Sequence, residues 1–234
     1  MGSTSEKTYG SRVYNAEQMS TNVATFTGYV PITPETALVE YNTYIDELKA
    51  NNTLIASAES DFSLAVDERQ DQFSKSPTSL SKLLSPISSY VKAKFGKNSQ
   101  EAEDIAALVN QIRGESTKKL KRSDDGEFVS NSHRSYGSQT QYLADLIATL
   151  EAFGLEYTPT NTSITVANLK LKLEELTQAN TQVTTTYSVK KPLTDARITN
   201  YDVLSQRSQT IKESVKSQYG LQSSEYKLIK GYNI

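Results

Sequence analysis

Two pairs of polar residues recur at matched places in this 234-residue chain. Asn52 and Asn180 are each followed by threonine, and Arg69 and Arg197 each stand two residues after an aspartate, Asp67 and Asp195. An amide presents both a donor and an acceptor, and a guanidinium is a five-donor fork suited to carboxylate or phosphate. Both asparagines fall on an otherwise apolar seam. A polar seam residue that sets helix register is the favoured reading, with ligand contact as the alternative. On that reading, Asn52→Leu or Asn180→Leu keeps or raises stability and blurs the assembly. Aspartate and arginine two apart do not face each other on one helix. The arginines are therefore expected to reach other helices or the sister repeat, with an anion site as the sharper alternative.

Other chemistry-bearing residues are sparse. His133 is the only histidine and lies between the repeats, where a solvent-exposed residue is expected rather than a catalytic base. Glu47 and Glu175 flank stripe leucines, and no Glu-x-x-His pair accompanies them as a carboxylate metal site on a bundle needs. The one basic cluster, Lys118, Lys119, Lys121 and Arg122, is a candidate contact for phosphate or anionic lipid. "SDDGE" follows it at once and weakens its field, so a solvated linker is expected. There is no cysteine, hence no disulfide, thiol nucleophile or thiolate metal site. P-loop, G-x-G-x-x-G and G-x-S-x-G patterns are absent. The expectation is no catalytic residue, no cofactor and no metal.

With 36% hydrophobic and 22% charged residues, the composition is that of a folded, polar chain. A net charge of −2 favours neither nucleic acid nor an anionic membrane. No apolar run reaches the roughly 18 residues of a transmembrane helix, and the N-terminus has no apolar signal core. A cytoplasmic location is expected, although the lack of cysteine is also compatible with export by an unrecognised route. Fourteen tyrosines and no tryptophan point to stripe packing, with a tyrosine-rich association surface as the functional alternative.

The elements that must position these residues come in two similar sets. "TYGS" at Thr8 matches "SYGS" at Ser135, and "YNTYIDELKANNTLI" from Tyr41 matches "LKLKLEELTQANTQV" from Leu169 without a gap. The first set then carries four extra residues around Ser74 to Pro77. After them "LSKLLSPISSYVKAKFG" pairs with "LSQRSQTIKESVKSQYG". Internal repeats of this kind dictate architecture. Apolar residues at Leu38, Tyr41, Ile45, Leu48, Ile55, Phe62, Val66 and Phe73 are spaced by threes, fours and sevens. The second set repeats the stripe at Val166, Leu169, Leu173, Leu176, Val183, Tyr187 and Tyr201.

The expected fold is all-α: an elongated, coiled-coil-like helical bundle of two tandem repeats. Residues 1–8 are expected to form a flexible start, 9–112 the first repeat, 113–135 a charged linker and 136–234 the second repeat. Thr33 with Pro34 is expected to open a helix unbroken to Phe73, and Pro77 to start the next, which Pro86 bends. Gly96 and Gly220 are expected as left-handed helix stops. Asn98 with Glu101 resembles a capping box behind the first of them.

The order "YGS", "YTPTNTSITVANL", "VKSQYG", "SSEYKLIKG", with its paired "VK…G" phrases, resembles a family of uncharacterised bacterial helical proteins that carry the same duplication. The resemblance covers most of the chain and implies the fold, with no activity or functional residue to transfer. A non-enzymatic structural, scaffolding or self-assembling protein is the leading expectation, its partner a second copy or another protein. A helical adaptor or a ligand binder using the cleft between repeats is the alternative. A membrane-active helical toxin is less favoured, for want of an amphipathic surface helix.

Overall fold

The computed structural model describes residues 7–114 and 135–234, which are all-α with no strand. The first stretch contains α1 (Tyr9–Val23), α2 (Leu38–Gln70), α3 (Leu80–Phe95) and α4 (Gln100–Arg113). The second contains α5 (Tyr136–Ala152), α6 (Val166–Tyr219) and α7 (Ser224–Ile229). Among the described residues no helix is long and apolar enough to cross a membrane.

Matched caps start the matched helices. Thr8 Oγ1 accepts from Ser11 N at the head of α1, and Ser135 Oγ accepts from Ser138 N at the head of α5. Ser99 accepts from Ala102 N before α4, as Ser223 does from Tyr226 N before α7. Each such cap satisfies one amide that the first helical turn leaves unpaired. The cap of α4 is therefore Ser99 and not Asn98: the helix starts one residue later than the capping-box pattern implies. Gly96 also differs from expectation. Its φ of 104° and ψ of 149° lie outside the left-handed helical basin, in an extended positive-φ region open to glycine.

The four extra residues of the first stretch leave a visible mark. In the second stretch α6 runs unbroken for 54 residues, through Pro192. In the first, the corresponding path splits into α2 and α3 at a π-helical turn, Asp71–Lys75. A π turn absorbs surplus residues within a helix. Two sequence expectations shift accordingly. Pro34 opens a separate 3-10 turn, Pro34–Thr36, closed by the Thr36 hydroxyl on Thr33, and Ala37 is extended before α2 begins. Pro77 lies in the turn after the π segment, where Ser76 Oγ accepts from Thr78 N, so α3 starts only at Leu80.

The chain divides into two compact units that do not coincide with the two stretches. Unit 1 is Met1–Ser60 with Ser188–Ile234, and unit 2 is Asp61–Tyr187. Each takes the N-terminal helices of one stretch and the C-terminal helices of the other. The unit 1 core combines Ala16, Met19 and Val23 of α1 and Tyr41, Ile45 and Leu48 of α2 with Leu204, Ile211 and Val215 of α6 and Ile229 of α7. In unit 2 the core combines Leu143, Leu146 and Leu150 of α5 and Leu169 and Leu176 of α6 with Leu80, Leu84, Ile87 and Val91 of α3 and Ile105 and Val109 of α4. These buried positions follow the three–four spacing of the stripes. Tyr187 is the exception, 48% exposed despite its place in the pattern.

Candidate functional site

Unit 1 brings Asn52 and Arg197 together. Asn52 Nδ2 donates to the Tyr201 hydroxyl at 2.6 Å, and that hydroxyl donates to the Tyr9 carbonyl oxygen at 3.2 Å. The Arg197 guanidinium lies 4.4 Å from the centre of the Tyr9 ring and 3.7 Å from Glu59 Oε1. The Tyr9 and Tyr201 rings are themselves in contact, 4.6 Å between centroids. Burial pushes the Tyr201 hydroxyl up from its ordinary pKa, partly offset by the Asn52 hydrogen bond and the nearby Arg12 and Arg197. It remains a neutral donor near pH 7.

Unit 2 builds the same circuit from Asn180 and Arg69. Asn180 Nδ2 donates to Thr140 Oγ1 at 3.2 Å, and Thr140 Oγ1 donates to the Tyr136 carbonyl oxygen at 2.8 Å. Arg69 lies 4.2 Å from the centre of the Tyr136 ring, which packs edge-on against Phe73 at 4.7 Å. In both units, then, an amide feeds a hydroxyl, the hydroxyl feeds the first carbonyl of a helix, and an arginine covers the tyrosine that owns the carbonyl. Each arginine–ring contact is worth about 0.5–2 kcal/mol, and each hydrogen bond about 0.5–1.5 kcal/mol net. In both units Asn Oδ1 and Arg Nε are shut off from solvent and reach no hydrogen-bond partner.

Each circuit joins the two stretches. Asn52 and Tyr9 belong to the first and Arg197 and Tyr201 to the second; Arg69 and Phe73 belong to the first and Asn180, Thr140 and Tyr136 to the second. Asp67 and Asp195 do not join their arginines. Both are exposed, and Asp195 pairs with Lys191 one turn back. Glu47 and Glu175 are exposed, Glu175 in an ion pair with Lys172. No group of histidines or acids able to hold a metal ion occurs among the described residues. His133 and the basic cluster Lys118, Lys119, Lys121 and Arg122 lie outside the described residues.

The sequence singled out the asparagines and arginines and placed Tyr201 on the apolar stripe, without a role for its hydroxyl, and it gave no role to Tyr9, Tyr136 or Thr140. The signal was there for two of them, since Tyr9 and Tyr136 sit inside the matched "TYGS" and "SYGS". Thr140 was hidden because its partner position in the first stretch is Val13, and the Tyr201 hydroxyl because its partner is Phe73.

A second feature lies within unit 2. A groove of about 550 Å³ is lined by Phe73, Leu80, Leu84, Ile112, Tyr136 and Arg113. It lies beside the π turn, and Arg113 at its edge donates to Ser85 Oγ at 2.9 Å.

No family model matches this chain, and neither a curated protein nor a solved structure matches it.

Proposed function

We propose that this protein is a non-enzymatic structural or scaffolding protein, built by internal duplication, that associates with further copies of itself. The observation that carries this reading is the use made of the repeated polar residues. Asn52, Arg69 and Arg197, which an enzyme would direct at a substrate, each make a contact that joins one stretch to the other, and Asn180 braces the end of α5 whose Tyr136 ring Arg69 covers. Two stretches whose halves close reciprocally have the logic of an isologous dimer joined into one chain. Association beyond one chain is supported by exposed apolar side chains, among them Val30, Ile32 and Val39 in unit 1, at 63%, 61% and 75% exposure. Light scattering coupled to size-exclusion chromatography across a concentration series tests the reading. Ordered oligomers or filaments are expected; a strict monomer at every concentration overturns self-association.

A second reading, a small-ligand binder, draws on the groove of unit 2. Its volume falls in the range of small-molecule sites, and its walls come from both stretches. A thermal-shift screen of small molecules tests it: a ligand whose stabilisation is lost in Arg113→Ala and Tyr136→Ala favours this reading over the first.

A further inference from the structure

Asn52 and Arg197 both line a small cavity within unit 1, about 60 Å³, together with Asn51, Asn200, Tyr201 and apolar side chains including Leu48 and Ile55. Two atoms of that lining are chemically incomplete. Asn52 Oδ1 is an acceptor and Arg197 Nε–H a donor; both are closed to bulk solvent and neither reaches a protein partner. Buried polar groups are paired in folded proteins, because an unmade hydrogen bond in a medium of low dielectric is expensive. Unit 2 repeats the situation with Asn180 Oδ1 and Arg69 Nε. An accident of side-chain placement has no reason to leave the same two atoms unsatisfied in both units.

The chemistry of the pair narrows the occupant. A simple anion has no proton to give the amide oxygen and a metal cation has no lone pair to offer Nε–H, so the molecule that completes both atoms must donate and accept at once. A volume of about 60 Å³ has room for roughly two waters at about 30 Å³ each, and no drug-sized ligand fits. We propose that each unit holds an internal water that accepts from Arg Nε and donates to Asn Oδ1, Arg197 with Asn52 in unit 1 and Arg69 with Asn180 in unit 2. With it, the amide, hydroxyl, carbonyl and guanidinium of each circuit become one hydrogen-bonded network. The water is then a structural component that ties the stretches together.

A crystal structure of the full chain, at a resolution that shows ordered solvent, is the test. A solvent peak within hydrogen-bonding reach of both Asn Oδ1 and Arg Nε is expected in each unit. In crystals of Asn52→Leu, the unit 1 peak should disappear while that of unit 2 stays. A direct Asn–Arg hydrogen bond, or no peak between the two atoms in the unaltered protein, overturns the proposal.

Discussion

Unit 1 and unit 2 hold their asparagines in the same way but find the hydroxyl in different places. In unit 1 it belongs to Tyr201 on α6, and the position on α1 that corresponds to Thr140 is the aliphatic Val13. In unit 2 the ring is Phe73, without a hydroxyl, and the facing position on α5 is Thr140, which supplies one. Each unit supplies the hydroxyl from one of the two positions and lacks it at the other. The lesson is that the hydrogen bond, more than either residue, is the unit of design: an amide turned into a core must meet an acceptor, whichever element carries it. A related exchange stands nearby. The buried Tyr41–Ser208 hydroxyl pair of unit 1, at 2.6 Å, has as its counterparts Leu169 and Leu84, both fully buried in unit 2. Polar pair and apolar pair are each self-consistent, whereas a mixture leaves a hydroxyl without a partner.

The strongest way to break this picture is to cut the chain between Gly114 and Ser135 with an inserted protease site. Each compact unit draws on both sides of the cut, so the two fragments should stay together through size-exclusion chromatography in native buffer and part only in denaturant. Fragments that separate and remain folded would show that each stretch closes on itself.

Alkaline pH should set the units apart. Burial raises the pKa of Tyr41 and of Tyr201 above the ordinary 10.0, and leucine and phenylalanine hold those places in unit 2. Above about pH 10 the unfolded chain gives up these protons while folded unit 1 keeps them. The folded state then binds more protons, and stability falls as pH rises; below that pH these groups contribute nothing to the slope. Each tyrosine ionised only in the unfolded state steepens the fall by about 1.4 kcal/mol per pH unit. Burial also raises Tyr29 and Tyr44 in unit 1 and Tyr157 in unit 2, so the larger number of raised tyrosines stays with unit 1. Hydrogen-exchange protection, followed upward from about pH 9, should fail in α1 before α5, and Tyr41→Phe should narrow the gap.

Transplanting the hydroxyl sharpens the comparison further. Tyr201→Phe strands the Asn52 amide and should lower stability by about 1–2 kcal/mol, and adding Val13→Thr should recover most of it. Urea denaturation of the single and double variants measures this; a double variant no better than Tyr201→Phe alone would mean the two solutions are not interchangeable. Asn52→Leu removes the donor to the Tyr201 hydroxyl and sets an apolar side chain in the cavity that Arg197 also lines. A loss of about 1–3 kcal/mol is therefore expected, opposite in sign to what a pure register role predicts.

The smallest effect tests sameness. Gly96 and Gly220 have φ of 104° and 93°, and nothing lies within 4 Å of where a Cβ would stand. Alanine at either site meets backbone strain only, about 1 kcal/mol or somewhat more, and the two variants should fall by equal amounts in thermal unfolding. Unequal losses would point to different surroundings in the two turns.

Much of the local structure was legible. The stripe from Tyr41 to Phe73 falls on helical backbone because its spacing keeps one face apolar. The "YVKAKFG" phrase ends α3, with Lys92 and Lys94 in the last turn where the helix dipole favours cations. Among the described residues, the four-residue surplus near Ser74 coincided with the one long-helix interruption that the other stretch lacks. The misplacements were short-range contests. Ser99 outcompeted Asn98 as a cap, and Thr36 closed a 3-10 turn that delayed α2 by a few residues. Such outcomes turn on which of several adjacent polar side chains meets a free amide, and neighbouring residue types do not decide it.

Helical period, caps and turns depend on residues within a few positions of one another, so the sequence by itself determined the all-α elements and the two matched sets of them. Which set closes on which was another matter. Both stretches carry the same stripe, so an apolar face that fits its own stretch fits the other equally well on periodicity alone. Only the tertiary structure decided that the N-terminal helices of each stretch close on the C-terminal helices of the other. Side-chain contacts across about 150 residues, from Asn52 to Tyr201, settle that choice, and the local pattern is blind to them.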